Sequence, residues 1–376
     1  MAIIYSEKPC VAAGTFTSNV VKAAPVKWDR KLLEESPYVQ AVIVNTGIAN
    51  AGTGAEGMKL CEETAKEASR VLGIPENAVL VGSTGVIGAQ LPIDRIKAGI
   101  SRLAEAKNDS LEAGTDASRA IMTTDTVPKE AAISFEVDGV TVTVGGMSKG
   151  SGMIHPNMAT MLSVTTTDAK ISHDLLQEMV SEIVSDSFNM ISVDRDTSTN
   201  DTYLVLANGE SGVEIKAGTN GYVKFKEALS FVATDLAKQM AADGEGATRL
   251  MEVRAVHCKN KEEAKIFSKS VVTSNLVKAM LFGKDANWGR VLCALGYSGA
   301  DFDPDVIDLI LEAEDEQIVL VKDGVPTDYS EDEATILLGK DAVTFICDMK
   351  QGDASATAWG CDLTYDYVKI NGDYRS

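Results

Sequence analysis

A glycine-rich turn, a proline and a ladder of threonines stand together in KGSGMIHPNMATMLSVTTTDA, Lys149 to Ala169. Thr160 is the residue there that could do chemistry. A threonine hydroxyl is a poor nucleophile unless a base sits beside it. A cut just before Thr160 would supply that base, because the new α-amine would lie next to its own hydroxyl. An α-amine has a pKa of about 7.7–8.0, close to the pH at which a general base works best. Thr with its own N-terminus is a known variant of triad logic. Gly145, Gly146, Gly150 and Gly152 permit a strained turn upstream, and the small Ala159 precedes the bond to be cut. The competing reading is a threonine that simply enters a strand. His155, five residues earlier, could assist, although such a histidine is more often a packing residue.

Other chemistries find less support. His155, His173 and His257 have no HxxxH or HxH spacing and no cysteine pair beside them, so no metal site is expected. DRDTSTND, Asp194 to Asp201, lacks the glycine and glutamate of a calcium loop and reads as a polar turn before a strand. GGMSKGSG is not a GxxxxGK[ST] phosphate loop, and no GxSxG elbow exists. Taken alone, Lys149 and Glu245 read as solvated surface charges.

The elements that must position such a site alternate in type. VQAVIVNTG (39–47) reads as a buried strand. A helix follows, with Leu60, Ala65, Ala68 and Leu72 on one face. NAVLVGSTGVIG (77–88) is a strand running into a glycine-bounded turn, and 92–106 is helical. The sequence predicts a short helix over 116–122, with Thr115 as N-cap after Gly114. An Asp-Gly pair between alternating runs makes 131–144 a hairpin. A strand at ATMLSVTTTDA, a helix over 173–188, the strand TYLVLANG and a long helix over 223–240 come next. A strand over 252–258, a largely helical stretch over 261–280 and further α/β pattern complete the chain. The expected fold is α/β (α+β): mixed β-sheets layered with helices rather than a doubly wound parallel sheet.

Composition sets the outer limits. The chain has 376 residues, 45% hydrophobic and 24% charged, so two domains or one large layered unit can form without staples. Acidic residues outnumber basic ones, 55 to 35, for a net charge of −20. Such a surface repels nucleic acid and anionic membranes. The six cysteines form no CxxC pair and most have apolar neighbours, which predicts free, buried thiols in a reducing cytosol. The start, MAIIYSEKPC, has no basic n-region, and no apolar run is long enough to span a bilayer, so a cytoplasmic protein is expected.

KGSGMIHPNMATML resembles the self-cleaving motif of the ornithine acetyltransferase family, also called glutamate N-acetyltransferases. AAGTFTSNVVKAAPV, VNTGIANAGTG, VGSTGVIG, AIMTTDTVPK, VDRDTSTNDT, FGKDANWGR and YVKINGDYRS resemble further family blocks in the family's order, over essentially the whole chain. The resemblance implies a self-cleaving, N-terminal-nucleophile-like (DOM-type) fold. It implies cleavage of the Ala159–Thr160 bond, leaving residues 1–159 as an α chain that carries the oxyanion turn and 160–376 as a β chain that begins with the nucleophile. Thr160 would attack, and Thr84 and Gly85 would stabilise the oxyanion. Thr123, Lys149, Thr160, Glu245, Asn371 and Ser376 would bind substrate. N-acetylornithine would donate acetyl and glutamate accept it, with no cofactor and no metal. Whether acetyl-CoA is also a donor stays open. Two α and two β chains would form a heterotetramer. An amidohydrolase or aminopeptidase with water as acceptor, and a non-catalytic amino-acid-binding relative, are the alternatives.

The chain departs from the family pattern in three places. It has less sequence before AAGTFTSN, Arg195 stands where glycine is expected, and Ser376 stands where threonine is common.

Overall fold

The computed structural model describes residues 1–155 and 161–373, which fall into two compact units. One holds residues 1–189 and 196–240; the other holds 190–195 and the chain from 241 onward. Each contains one seven-stranded sheet. In chain order the strands are β1 (Ala2–Phe16), β2 (Val39–Ile48), β3 (Val79–Val86), β4 (Lys129–Val137), β5 (Val140–Lys149), β6 (Leu162–Thr167), β7 (Ile191–Ser192), β8 (Thr202–Ala207), β9 (Leu250–Cys258), β10 (Asp308–Ala313), β11 (Glu316–Lys322), β12 (Val325–Pro326), β13 (Ala342–Asp348) and β14 (Ala354–Cys361).

The first sheet has the order β3-β2-β1-β8-β6-β5-β4. Pairs β2–β3 and β6–β8 are parallel and the rest antiparallel, so the sheet is mixed, as the sequence pattern implies. Its hydrophobic content follows from cover. In β2, Val39 to Val44 are all buried, because both faces are packed. On one face Ala41 and Ile43 meet Ala65 and Ala68 of helix Gly54–Leu72 and Ile96 and Ile100 of helix Ile93–Ala106. On the other, Val42 and Val44 share a core with Leu80, Leu162, Val164, Leu204 and Leu206. In contrast β4, at the far edge, strictly alternates buried or half-buried with exposed residues. Asp138 and Gly139 turn the β4–β5 hairpin with φ of 51° and 80°, as a type I′ turn requires.

The second sheet has the order β12-β11-β10-β13-β9-β14-β7 and is also mixed. Pairs β9–β13 and β7–β14 are parallel. Helix Lys261–Val272 covers it, burying Phe267 and Val271.

Two local expectations differ from the structure, and a third gains detail. The helix expected over 116–122 runs from Leu111 to Ala120, because Ser110, not Thr115, caps it by accepting from the Ala113 N–H. Gly114 and Thr115 lie inside it, and the Thr115 hydroxyl bonds Glu130. The stretch 261–280 is largely helical, as expected, in two helices, Lys261–Val272 and Asn275–Gly283, since the Ser274 hydroxyl accepts from Val277 N–H and starts the second. Five cysteines are buried as expected, but Cys293 is exposed.

Arg195, which replaces the expected glycine, has φ of 71°. A left-handed conformation costs a side chain roughly 1–2 kcal/mol, part of which glycine's greater unfolded-state freedom offsets. Arg195→Gly is therefore expected to stabilise the protein by up to about 1 kcal/mol in urea unfolding.

Candidate active site

The parallel β2–β3 pair positions the glycine-bounded turn. Thr46 lies beside Thr84 and Gly47 beside Gly85. Gly85 has φ of 128°, and a Cβ there would stand 2.3 Å from the Gly47 carbonyl carbon. Only glycine lets the two backbones approach so closely. Thr84, one residue earlier, is buried. Thr84 and Gly85 thus stand together at the C-terminal end of β3, paired with the end of β2.

Lys149, the last residue of β5, is only 3% exposed, which overturns its reading as a solvated surface charge. Its Nζ lies 3.5 Å from Thr84 Oγ1 and 4.0 Å from Asp125 Oδ2. Asp125 organises this corner. Its carboxylate pairs with the fully buried Lys129 at 2.7 Å and accepts from the N–H groups of Gly150 (2.6 Å) and Thr123 (3.0 Å). Burial alone would push the Asp125 carboxyl up. The charges of Lys149 and Lys129 and these hydrogen bonds outweigh it and hold the group below its usual range. Thr123 is thereby tied to the same carboxylate as Lys149, while its neighbour Thr124 shares a hydroxyl contact of 2.7 Å with Ser151. Asp125 lies within AIMTTDTVPK, a stretch whose pattern alone singles out only Thr123. An acidic residue four before a lysine could have flagged it.

The second unit carries a separate pair. Asn371 donates from Nδ2 to Glu245 Oε2 at 2.7 Å and to the Tyr367 carbonyl. The loop around Glu245 is anchored where Thr364 Oγ1 donates to the Gly246 carbonyl. Thr160, Ala159 and Ser376 lie outside the described residues. His155 touches the loop after β7 through its carbonyl, which accepts from Thr197 Oγ1. Among the described residues no group of three or more His, Cys, Asp or Glu is placed to hold a metal, and no helix is long and apolar enough to cross a membrane.

This is a mixed α/β protein whose first unit buries a lysine–threonine–glycine corner at the end of a parallel strand pair. The chain belongs to the ArgJ family, whose profile matches residues 1–376. It is 52% identical, over its whole length and 92% of the relative's, to the arginine biosynthesis bifunctional protein ArgJ of Symbiobacterium thermophilum. It is 50% identical, at the same coverage, to arginine biosynthesis bifunctional protein ArgJ 1 of Clostridium acetobutylicum. Among solved structures it resembles arginine biosynthesis bifunctional protein argJ of Bacillus halodurans at 44% identity and a TM-score of 0.53, over 56% of this chain and 97% of that one.

Replacing Asp125 by asparagine would leave two buried ammonium groups without their shared carboxylate. Removing one partner of a buried ion pair costs about 3–5 kcal/mol, so Asp125→Asn is expected to lower the unfolding free energy by that order. The sign with pH follows from the depressed pKa. Its stabilisation is present above the unfolded-state value of about 3.9 and is lost as pH falls through the lower folded-state value. Urea titrations from pH 7 down should show that acid-side loss in the wild type and a shallower slope in Asp125→Asn.

Proposed function

We propose that this chain transfers an acetyl group from N-acetylornithine to glutamate after cutting itself between Ala159 and Thr160. The observation that carries the reading is the buried contact of Lys149 with Thr84 beside Gly85, in a member of the ArgJ family. Lengths support it too. The solved Bacillus halodurans chain, 97% of which matches 56% of this one, is close in length to the piece 160–376 that such a cut leaves.

Maturation comes first. The Thr160 hydroxyl attacks the Ala159 carbonyl carbon, the peptide C–N bond breaks, and water hydrolyses the resulting ester. The freed α-amine then takes the proton from its own hydroxyl as Thr160 attacks the acetyl carbonyl. The Thr84 hydroxyl and Gly85 N–H receive the developing oxyanion. Ornithine leaves with the proton on its amine, and an acetyl-threonine ester remains. The amine of glutamate attacks that ester, giving N-acetylglutamate and restoring the hydroxyl, a ping-pong sequence.

Substrate amino acids carry both an ammonium and a carboxylate. Lys149 supplies a positive charge for the carboxylate, next to Thr123. Glu245 and Asn371 supply an acceptor and an amide for the amine. Ser376 is assigned by family resemblance. No organic cofactor or metal takes part. A second half-reaction, with acetyl-CoA as donor to glutamate, would use the same acetyl-threonine. The working assembly is proposed as two α and two β chains, in the cytoplasm.

Intact mass under denaturing conditions tests the first stage. Two masses meeting between Ala159 and Thr160 are expected, and Thr160→Ala should give one uncut chain without transferase activity. Thr160→Ser keeps a hydroxyl and should still cut. An uncut Thr160→Ala chain with full activity overturns the mechanism. Acetate release that ignores glutamate would make the protein an amidohydrolase instead.

A further inference from the structure

Two adjacent side chains, Asn200 and Asp201, reach to opposite halves of the site. Both are buried. Asn200 Nδ2 donates to the Ala49 carbonyl at 2.5 Å and to the Ser83 carbonyl at 2.8 Å. Ala49 follows β2, and Ser83 immediately precedes Thr84 on β3. One amide group thus bridges the ends of the parallel pair beside Thr84. The bridge is reinforced from within: Ser83 Oγ donates to Asn45 Oδ1 at 2.6 Å, and Ala49 N–H donates to the Val86 carbonyl. Thr199 Oγ1 donates to Asn200 Oδ1 at 2.6 Å, which sets the orientation of the amide.

Asp201 points the other way. Its Oδ1 accepts from the Met161 N–H at 3.0 Å, and the following Thr202 N–H donates to the Met161 carbonyl at 3.0 Å. Met161 is covalently next to Thr160. Both polar backbone groups of that residue are therefore tied to the chain at 201–202, where β8 begins beside β6. Burial pushes the Asp201 carboxyl well above its usual range, against the opposing pull of the Met161 N–H. A neutral carboxyl still accepts through its carbonyl oxygen, so this bond does not need the charge.

We infer that Asn200 and Asp201 act as a paired positioning device: Asn200 fixes the end of β3 at Ser83, next to Thr84, Asp201 fixes Met161, next in sequence to Thr160, and the single peptide between them sets the spacing of those two backbone segments. Both act through backbone groups of the neighbouring residues, Asn200 on the Ser83 carbonyl before Thr84 and Asp201 on the Met161 N–H after Thr160. Reaction rates depend steeply on this spacing, since a misplacement of about 1 Å costs on the order of 100-fold. Substrate binding through Glu245 and Asn371, in the other unit, does not pass through it. The inference rests on the proposed acetyl transfer and its residue roles.

The test measures self-cleavage and, on cut protein, kcat and KM for acetyl transfer from N-acetylornithine to glutamate. Variants are Asn200→Ala, Asp201→Ala and the shape-conserving Asp201→Asn, which keeps an oxygen to accept from Met161 N–H. Val180→Ala, a core truncation on helix His173–Asp186, serves as a control that loses stability without touching this network. Asn200→Ala and Asp201→Ala are expected to slow cleavage and lower kcat roughly 10- to 100-fold with little change in KM. Asp201→Asn should recover much of the loss relative to Asp201→Ala, and Val180→Ala should lower only the unfolding midpoint. If Asn200→Ala and Asp201→Ala lose stability yet keep the control's kcat, or if Asp201→Asn is as slow as Asp201→Ala, the positioning role is overturned. A wild-type chain that neither cuts nor transfers overturns the underlying reading itself, and is told apart because the failure precedes any substitution. If the alanine variants do not fold, Asn200→Asp, which keeps the shape and replaces the donating amide, gives the same comparison and should still lower kcat.

Discussion

Burying an ammonium group is among the costliest things a fold can do, and this fold buries two beside one carboxylate. Lys129 opens β4 and Lys149 closes β5, so both stand at the open end of the hairpin, where Lys129 lies opposite Ser148. Without Asp125 their charges would face a low-dielectric interior. With it, one side chain also gathers the N–H groups of Thr123 and Gly150, so the segment before β4 and the glycine turn after β5 share one anchor. Lys149 reaches Thr84 because that anchor holds it there. The charge serves the site, and the site's rigidity serves the charge.

The opposite wall of the corner depends on backbone rather than charge. β3 is an edge strand, and edges left unpaired are mobile and sticky. Here its outer side is closed by side chains of helix Ala24–Glu35. Trp28 Nε1 donates to the Val79 carbonyl at 3.1 Å, and Asp29 Oδ1 accepts from Val81 N–H at 2.9 Å. On its inner side β2 runs parallel in strict register up to the paired glycines at 47 and 85. Asn200 closes the end. The strand end that carries Thr84 and Gly85 is thus bounded on three sides before any substrate arrives, the preorganisation that electrostatic catalysis needs.

Gly85 and the departure from the family pattern at Arg195 obey the same logic. Gly85 cannot acquire a side chain because a backbone occupies the space. Arg195 can replace glycine because its side chain points into solvent, at the cost of a strained φ alone.

Element type and order were readable from the sequence, because they follow from local periodicity. Alternation marked the 131–144 hairpin, an unbroken apolar run marked β2, and the spacing of Leu60, Ala65 and Ala68 marked the buried face of their helix. Caps were less readable, as Ser110 and Ser274 show, because several hydroxyls near a boundary compete and packing selects one. The motif around Thr160 and the family blocks named the candidate residues, since those depend on residue identity alone. Their environment was not in the pattern. Lys149 reads as a surface charge until Asp125, 24 positions away, is folded against it, and Asn200 reads as part of a polar turn until Ser83 arrives from 117 positions away. Burial and long-range hydrogen bonds are properties of three-dimensional neighbours, so only the tertiary structure could decide them.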